Sequence, residues 1–399
     1  MMSSTYVIIG AGLAGAKAAE ALRDKGFDGR VVLLGDEHHR PYERPPLSKG
    51  ILTGKAERES AFVHPESWYS DHDVDLRLGT RVTAVDRSAR EAVLADGSRV
   101  GYAKLLLATG AEPRVLPGAE NTVRLRRFGD TERLRQVLET GSKLAVVGAG
   151  WIGLEVASAA RQAGLDVVVL EALELPLLPA LGREAARVFA DLHREHGVDL
   201  RLGVRVAEAG PDHVRLGDGE RIEADAVLVG IGAVPNTALA EGAGLTVDNG
   251  IQVDAHLRTS DPDIFAAGDV ANAYHPSLGR HLRVEHWASA LKQPAIAAAG
   301  MLGLEAVYDE LPYFYTDQYD LGMEYTGLSD GYDRVVFRGD VEAREFIAFW
   351  LKDGKVVAGM NVNVWDVTDP IKDLIRSGST VDSARLADPS VPLTEVGTG

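Results

Sequence analysis

Two glycine-spaced turns carry the first chemistry in this chain. Gly10-Ala-Gly12-Leu-Ala-Gly15 follows the apolar run Tyr6–Ile9, and Gly148-Ala-Gly150-Trp-Ile-Gly153 follows Leu144–Val147. A strand, a glycine turn and a helix present free amides and the positive end of a helix dipole, which together attract a pyrophosphate. A carboxylate ending the next strand accepts ribose hydroxyls, and Glu171 stands there in the second copy, 18 residues beyond Gly153. It repels the extra phosphate of NADP, and Ala172–Pro176 holds no arginine to receive one, so NADH is expected there. The plainer reading of Glu171 is a surface glutamate at a strand end. In the first copy the same position falls on Gly35, so the ribose contact has to come from Asp36. That half holds its nucleotide differently, as FAD requires. Gly268-Asp269 closes a short apolar strand and offers an acceptor for ribitol hydroxyls; alternatively it is an ordinary turn.

The elements behind these residues are themselves repeated. VDLRLGTRV at Val74–Val82 returns as VDLRLGVRV at Val198–Val206, and Asp96-Gly97 and Asp218-Gly219 mark tight turns before LLLATGAEP and VLVGIGAVP. This is an internal duplication. From Gly10 to Asp75 the first copy is 14 residues longer than the second from Gly148 to Asp199, and much of the excess falls around Pro41–Gly50. An insertion in one half suggests a task the other does not share. Thr259–Asp269 then reads as a buried strand with a Gly-Asp turn, and Leu282–Leu302 as an alanine-rich helix. From about Tyr319 the pattern turns to strands, RVVFRG, EFIAFWL and KVVAGMNVNV, the last two joined across Asp353-Gly354. A helix capped by Thr368 or Asp369 follows, with Pro370 in its first turn. The last dozen or so residues carry prolines and little periodicity, which predicts a weakly structured tail.

The chain of 399 residues has room for two or three domains and a large core. It contains no cysteine, which excludes redox disulfides, thiolate nucleophiles, cysteine-ligated zinc and iron–sulfur centres of its own. Redox work therefore falls to a bound cofactor, and no metal site is expected. A first strand at about Tyr6 leaves no length for an export signal, and no apolar stretch approaches the roughly 18 to 20 residues that span a bilayer. A soluble, cytoplasmic location is expected. A net charge of −17 argues against nucleic acid and anionic membranes as partners. The oligomeric state is not legible.

Gly10-x-Gly-x-x-Gly15, RPPLSK at Arg44–Lys49, Ala108-Thr109-Gly110, the second fingerprint through Gly153-Leu-Glu155, and Ala267-Gly268-Asp269 occur in one order along the chain. With Val284-Glu285-His286-Trp287 and TDQYDLGMEYTGLSDGYDRVV, this series resembles the oxygenase-coupled NADH-dependent ferredoxin reductases over nearly the whole chain. The resemblance implies a glutathione-reductase-like α/β fold with two Rossmann-type dinucleotide-binding domains. An FAD-binding domain is expected over 1–113 and 246–318, an NADH-binding domain over 114–245, and a C-terminal α+β interface domain over 319–399. It also implies a hydride taken from NADH onto FAD and electrons passed singly to a small, acidic iron–sulfur ferredoxin that docks transiently and serves a haem monooxygenase or a ring-hydroxylating dioxygenase. FAD contacts are implied at Ala14, Asp36, Lys49, Val82, Arg126, Asp269 and Trp287, with Val82 and Trp287 also readable as core. Arg44, Ala108, Thr109, Gly110, Gly268, Glu285 and His286 join the cofactor-binding set, as do Ile152 and Gly232 in the second copy. Tyr315 falls where the family often has tryptophan near the flavin.

Lys49 and Glu155 are the implied catalytic pair. A lysine beside the reactive ring nitrogen stabilises the anionic reduced flavin, and Glu155 pairs with it when the flavin is oxidised. A unit charge at about 4 Å and an effective dielectric near 20 contributes on the order of 4 kcal/mol, against about 1 kcal/mol for a typical net hydrogen bond. The plainer readings are a helix-terminal carboxylate and a solvated loop cation. Arg124, Arg126, Arg127, Arg133 and Arg135 form the densest basic cluster, either steering an acidic ferredoxin or bridging along a helix face. Disulfide reductases need thiols that this chain lacks. An apoptosis-inducing-factor-like binding module is the alternative class, and catalytic NADH-dependent ferredoxin reduction separates the two.

Overall fold

The computed structural model describes residues 4–397, which divide into two compact units. The first comprises the stretch up to Arg44, Arg58–Glu112 and Ala233–Glu310; the second comprises Pro45–Glu57, Pro113–Gly232 and Leu311–Gly399. The expected layout had three domains. Here the C-terminal strands group with the Pro113–Gly232 segment, and Pro45–Glu57, inside the span expected to bind FAD, groups there too. That insertion buries Leu47, Ile51 and Leu52, packs its Pro45–Ser48 turn against the helices Phe128–Thr140 and Trp151–Gln162, and accepts a hydrogen bond from the Thr131 hydroxyl at the Leu47 carbonyl.

In the first unit a parallel sheet runs in the order Ile264–Ala266, Lys104–Leu107, Thr5–Ile9, Arg30–Leu34, Val74–Arg77. Its central strands carry continuous runs of Val, Ile and Leu with almost no accessible surface, the pattern of a parallel sheet covered on both faces, while the edge strand Val74–Arg77 is partly exposed. The helices Leu13–Asp24 and Trp287–Met301 pack on each other, and the Tyr6 hydroxyl donates to the Met301 carbonyl at 2.9 Å. An antiparallel meander, Val82–Asp86, Glu91–Leu94 and Arg99–Gly101, completes the repeat.

The second unit repeats this plan with parallel strands Asp199–Leu202, Asp166–Glu171, Lys143–Val147 and Ala226–Val229 and a meander over Val206–Ala209, His213–Leu216 and Arg221–Glu223. The duplication read from the letters is therefore a duplication of topology. One difference matters for function. The first unit has a fifth strand, Ile264–Ala266, leading into Gly268-Asp269; at the corresponding edge of the second sheet a single parallel bridge, Val123 to Leu228, stands instead.

The second unit also contains an antiparallel sheet ordered Tyr313–Gln318, Leu321–Gly327, Lys355–Val362, Glu345–Lys352, Arg334–Asp340, with the helix Thr368–Ser377 packed on it. It starts six residues before the expected Tyr319, because Tyr319 at φ 56° is the turn of a hairpin and not the start of a strand. Asp353 and Gly354, at φ 51° and 73°, make the expected tight hairpin, in which both central residues take positive φ. The expected weak tail is ordered up to residue 397. Val396 and Leu386 are fully buried, Asp382 caps the short Ser383–Ala387 helix, and Gly397 bridges back to Val381. Arg338 holds the segment, donating to the carbonyls of Leu386, Asp388, Pro389 and Val391 at 2.7 to 3.3 Å. Because its order comes from a side chain some 50 residues upstream, local periodicity does not report it. Arg338→Met leaves several carbonyls without their charged donor and should cost about 2 kcal/mol. The variant is expected to unfold at lower temperature and to become open to limited proteolysis within 381–397, while far-UV dichroism at 25 °C stays near that of the parent.

Candidate functional site

In the first unit the glycine turn is dictated by contact distance. Gly10 has φ +113°, and a Cβ there would sit 2.1 Å from the Ala108 carbonyl oxygen; one on Gly15 would sit 2.0 Å from the Gly10 carbonyl. Strand, turn and helix can close this tightly only without side chains. At Gly12 a Cβ would meet nothing within 4 Å, and Gly12 caps the helix Leu13–Asp24 without a side-chain hydrogen bond. The helix amino terminus thus faces open space, the cradle a pyrophosphate needs.

Gly268 adjoins this cradle. It has φ +80°, a Cβ there would lie 3.1 Å from that of Ala14, and its N–H donates to Gln293 Oε1 at 2.8 Å. The half-buried Asp269 follows, with Arg283 donating to its carbonyl at 3.2 Å and to Glu285 at 2.7 Å. The structure therefore gathers Gly10, Gly12, Ala14, Gly15, Ala108, Gly268 and Asp269 at one end of the first sheet. Gly35 explains the displaced acid: a Cβ there would lie 2.5 Å from the Ala11 Cβ. Asp36, next along, is exposed, and Glu37 is engaged by Tyr42 at 2.6 Å and Arg44 at 3.4 Å. Thr109 and Asn236 clasp each other, the threonine hydroxyl donating to the Asn236 carbonyl at 2.9 Å and the amide donating to the Thr109 carbonyl at 2.8 Å. The Trp287 indole donates to Glu43 at 2.9 Å, and Val82 lies in the core.

The second unit builds its own turn by the same rule. A Cβ on Gly148 would lie 2.5 Å from the Gly230 carbonyl, one on Gly153 2.3 Å from the Gly148 carbonyl, and one on Gly150 would meet only the Gly230 oxygen at 3.9 Å. Glu171 stands at the end of its strand as expected and grips the turn, accepting from the Ala149 N–H at 2.7 Å and the Leu173 N–H at 2.9 Å. Each oxygen keeps a lone pair for a ribose hydroxyl. Ile152 is exposed in the first turn of the helix, Gly232 has φ +100° beside Arg114, and the half-buried Arg126 donates its backbone N–H to Asp130 at 2.9 Å. Within the basic cluster, Arg135 approaches Glu139 at 3.7 Å and Arg133 is exposed.

The same unit brings together two residues 106 positions apart. Lys49 Nζ lies 2.6 Å from Glu155 Oε1. Glu155, 6% exposed, also accepts from the Ser48 hydroxyl and, at 2.5 Å, from the Thr316 hydroxyl. Lys49 Nζ lies 5.4 Å from the centre of the Tyr315 ring, within cation–π range. Lys49 is therefore paired and not a solvated loop cation, and Glu155 is buried with three side chains bonded to its carboxylate. Ser48 was legible as the neighbour of Lys49 in RPPLSK. Thr316, within the TDQY stretch, and Asn236 and Gln293 were not read as site residues, since nothing in their spacing points to a partner on another element.

The family described as pyridine nucleotide-disulphide oxidoreductase matches residues 4–294, and the reductase C-terminal family matches residues 313–397. The chain is 42% identical to the ferredoxin–NAD(+) reductase component of the anthranilate 1,2-dioxygenase system of Burkholderia cepacia, over 98% of this chain and 99% of that one. It is 39% identical to putidaredoxin reductase of Pseudomonas putida, covering 99% and 97%. Among solved structures it superposes on the covalent putidaredoxin reductase–putidaredoxin complex with a TM-score of 0.95 at 38% identity, covering 98% of each chain. Among the described residues no helix is long and apolar enough to cross a membrane.

Near the ion pair lies a fully buried histidine. His193 donates from Nε2 to Gln318 Oε1 at 2.8 Å, and burial, with His196 adding to it, pushes its pKa down from 6.5 to about 4 despite the Gln318 hydrogen bond. In the unfolded chain this ring takes up a proton below about pH 6.5, and in the folded chain only near pH 4. Stability is therefore lost as pH falls through that window, by about 3 kcal/mol at its foot, and this residue has no effect above it. Thermal midpoints measured between pH 7.5 and 4 are expected to fall, and His193→Gln should fall less steeply than the parent.

Proposed function

We propose, from the premise that this chain belongs to the pyridine nucleotide-disulphide oxidoreductase family, that it is an FAD-dependent NADH:ferredoxin oxidoreductase serving an oxygenase. The observation that carries this reading is the inequality of its two cradles. One strand ends in Glu171, locked onto its own turn and open to a ribose; the other ends in Gly35, with Asp269 supplied by an added fifth strand. Two different dinucleotides are thus accommodated. Gly148, Gly150, Ile152, Gly153, Glu171 and Gly232 hold NADH. Gly10, Gly12, Ala14, Gly15, Asp36, Ala108, Gly268 and Asp269 form the FAD cradle, and Arg44, Val82, Thr109, Gly110, Arg126, Glu285, His286 and Trp287 complete the set.

FAD, when bound, accepts a hydride and returns electrons one at a time, which matches a two-electron donor to a one-electron carrier. The chain's own residues orient and balance charge. Lys49 offsets the negative charge gained on reduction, and Glu155 holds that cation in place between turnovers. No thiol takes part, because the chain contains no cysteine. Relatives named for ferredoxin reduction in dioxygenase and putidaredoxin systems support an iron–sulfur partner for this chain. A cytoplasmic location belongs to the same proposal.

The test is purification of the yellow protein, followed by steady-state reduction of candidate ferredoxins with NADH and with NADPH. NADH should be preferred at least ten-fold in kcat/KM, as a carboxylate facing a phosphate requires. Lys49→Met should slow flavin reduction by NADH at least ten-fold and lower the flavin midpoint potential. A colourless protein, or turnover of ferredoxin no faster with NADH than without it, would refute the assignment.

A further inference from the structure

The buried pair is one end of a longer chain of contacts within the second unit. Thr316, Gln318 and His193 are each at most 1% exposed, and none contacts solvent that could replace a missing partner. Glu155 is ionised in its pair with Lys49 and is acceptor-only, so the Thr316 hydroxyl must donate to it. The threonine oxygen then accepts from Gln318 Nε2 at 3.2 Å, which turns Gln318 Oε1 toward His193. That oxygen requires the Nε2–H tautomer of the imidazole, 2.8 Å away. The remaining Nδ1 is an acceptor and faces the Tyr319 hydroxyl at 3.4 Å. Flipping the amide would set two acceptors against each other at Thr316, so the carboxylate fixes the direction of every link. Tyr319 is anchored in turn: its N–H donates to Ser158 on the helix that carries Glu155, at 2.9 Å, and its ring stacks on His196 at 3.7 Å.

We propose that Gln318 and His193 are positioning residues for the Lys49–Glu155 pair, acting through Thr316 to hold the Glu155 carboxylate in the orientation that binds the lysine. The inference rests on the charge-balancing role given to that pair above. The chain orients and does not conduct. A primary amide interrupts it, and passing a proton through Gln318 would require an imidic acid. Three elements contribute: Glu155 comes from the helix Trp151–Gln162, Thr316 and Gln318 from one face of the strand Tyr313–Gln318, and His193 from the helix Leu178–Glu195.

The experiment uses the flavin-loaded protein and compares Lys49→Met, Gln318→Met, Thr316→Val and Thr316→Ser. Stopped-flow reduction by NADH gives the limiting rate and the NADH dissociation constant, spectroelectrochemistry gives the flavin midpoint potential, and calorimetry gives the thermal midpoint. Gln318→Met and Thr316→Val should lower the limiting rate about three- to ten-fold, the loss of one oriented hydrogen bond, and shift the potential in the same direction as Lys49→Met. The NADH dissociation constant should stay within about two-fold, since no group that holds the dinucleotide is altered. Thr316→Ser, which keeps the donor, should recover the rate that Thr316→Val loses. In protein labelled at histidine, His193 should show the Nε2–H tautomer.

If Lys49→Met changes rate and potential while Gln318→Met and Thr316→Val match the parent in both and lose only thermal stability, the chain is a structural feature and the inference fails alone. If Lys49→Met itself is silent, the role of the pair fails and takes the inference with it. Should Gln318→Met not fold, the contrast between valine and serine at position 316 decides. An Nδ1–H tautomer at His193 overturns the polarity on which the inference stands.

Discussion

The close passage of a glycine turn over a backbone carbonyl is the constraint from which both halves of this molecule are built. In each unit a side chain at the first glycine would come within 2.1 to 2.5 Å of a carbonyl oxygen on the neighbouring strand segment, and one at the third would meet the carbonyl of the first. Removing those side chains lets the helix start directly above the carboxyl end of the sheet. Its free N–H groups are then aimed at space left open beside the middle glycine. Everything placed around a cradle, whether Asp269 from an added strand or Glu171 from the next one, takes its position from that closure.

Divergence within the duplication follows from a second contact. Ala11 and Ala149 occupy the same place in the two turns, yet Ala11 presses its methyl against Gly35 while the Ala149 N–H is held by Glu171. In the first unit no side chain fits at the strand end, and the acid moves one residue on to Asp36. In the second the acid stands at the strand end itself and braces the glycine turn through the Ala149 and Leu173 N–H groups. One backbone plan thus admits two nucleotides through the side chain allowed at a single position.

Such backbone requirements were legible in the sequence because they restrict residue type locally. Glycine at Gly10, Gly15, Gly148 and Gly153 follows from contacts of the turn itself, and the duplicated DLRLG stretches gave the register of the repeat. The Lys49–Glu155 pair was reachable only through family resemblance, since no periodicity joins residues 106 apart. Thr316 and Gln318 lie in the TDQY stretch that carries the resemblance and His193 in a polar helix end, yet none was read as a site residue, because each contact is made to a partner on another element. The ordered tail was missed for the same reason, since its stability comes from the guanidinium of Arg338 and from burial of Val396. The hairpin at Tyr319 was misplaced because its positive φ falls on a tyrosine where glycine or asparagine is the usual signal.

A buried ion pair is an uncertain source of stability, since removing two charges from water costs several kcal/mol per ion and attraction alone seldom offsets it. The Lys49–Glu155 pair is surrounded accordingly. Ser48 and Thr316 add hydroxyl donors to the carboxylate, and the Tyr315 face lies within range of the ammonium. The neutral state of His193 belongs to the same arrangement. A protonated ring would donate from both nitrogens, and the Tyr319 hydroxyl would have to reverse, placing a second cation in a region already balanced by one lysine and one glutamate. Burial that depresses the histidine to about 4 and a carboxylate that orders its neighbours therefore act together. They leave one charge pair and one direction of hydrogen bonding, so that the lysine is the single cation the Glu155 carboxylate faces in this chain of contacts.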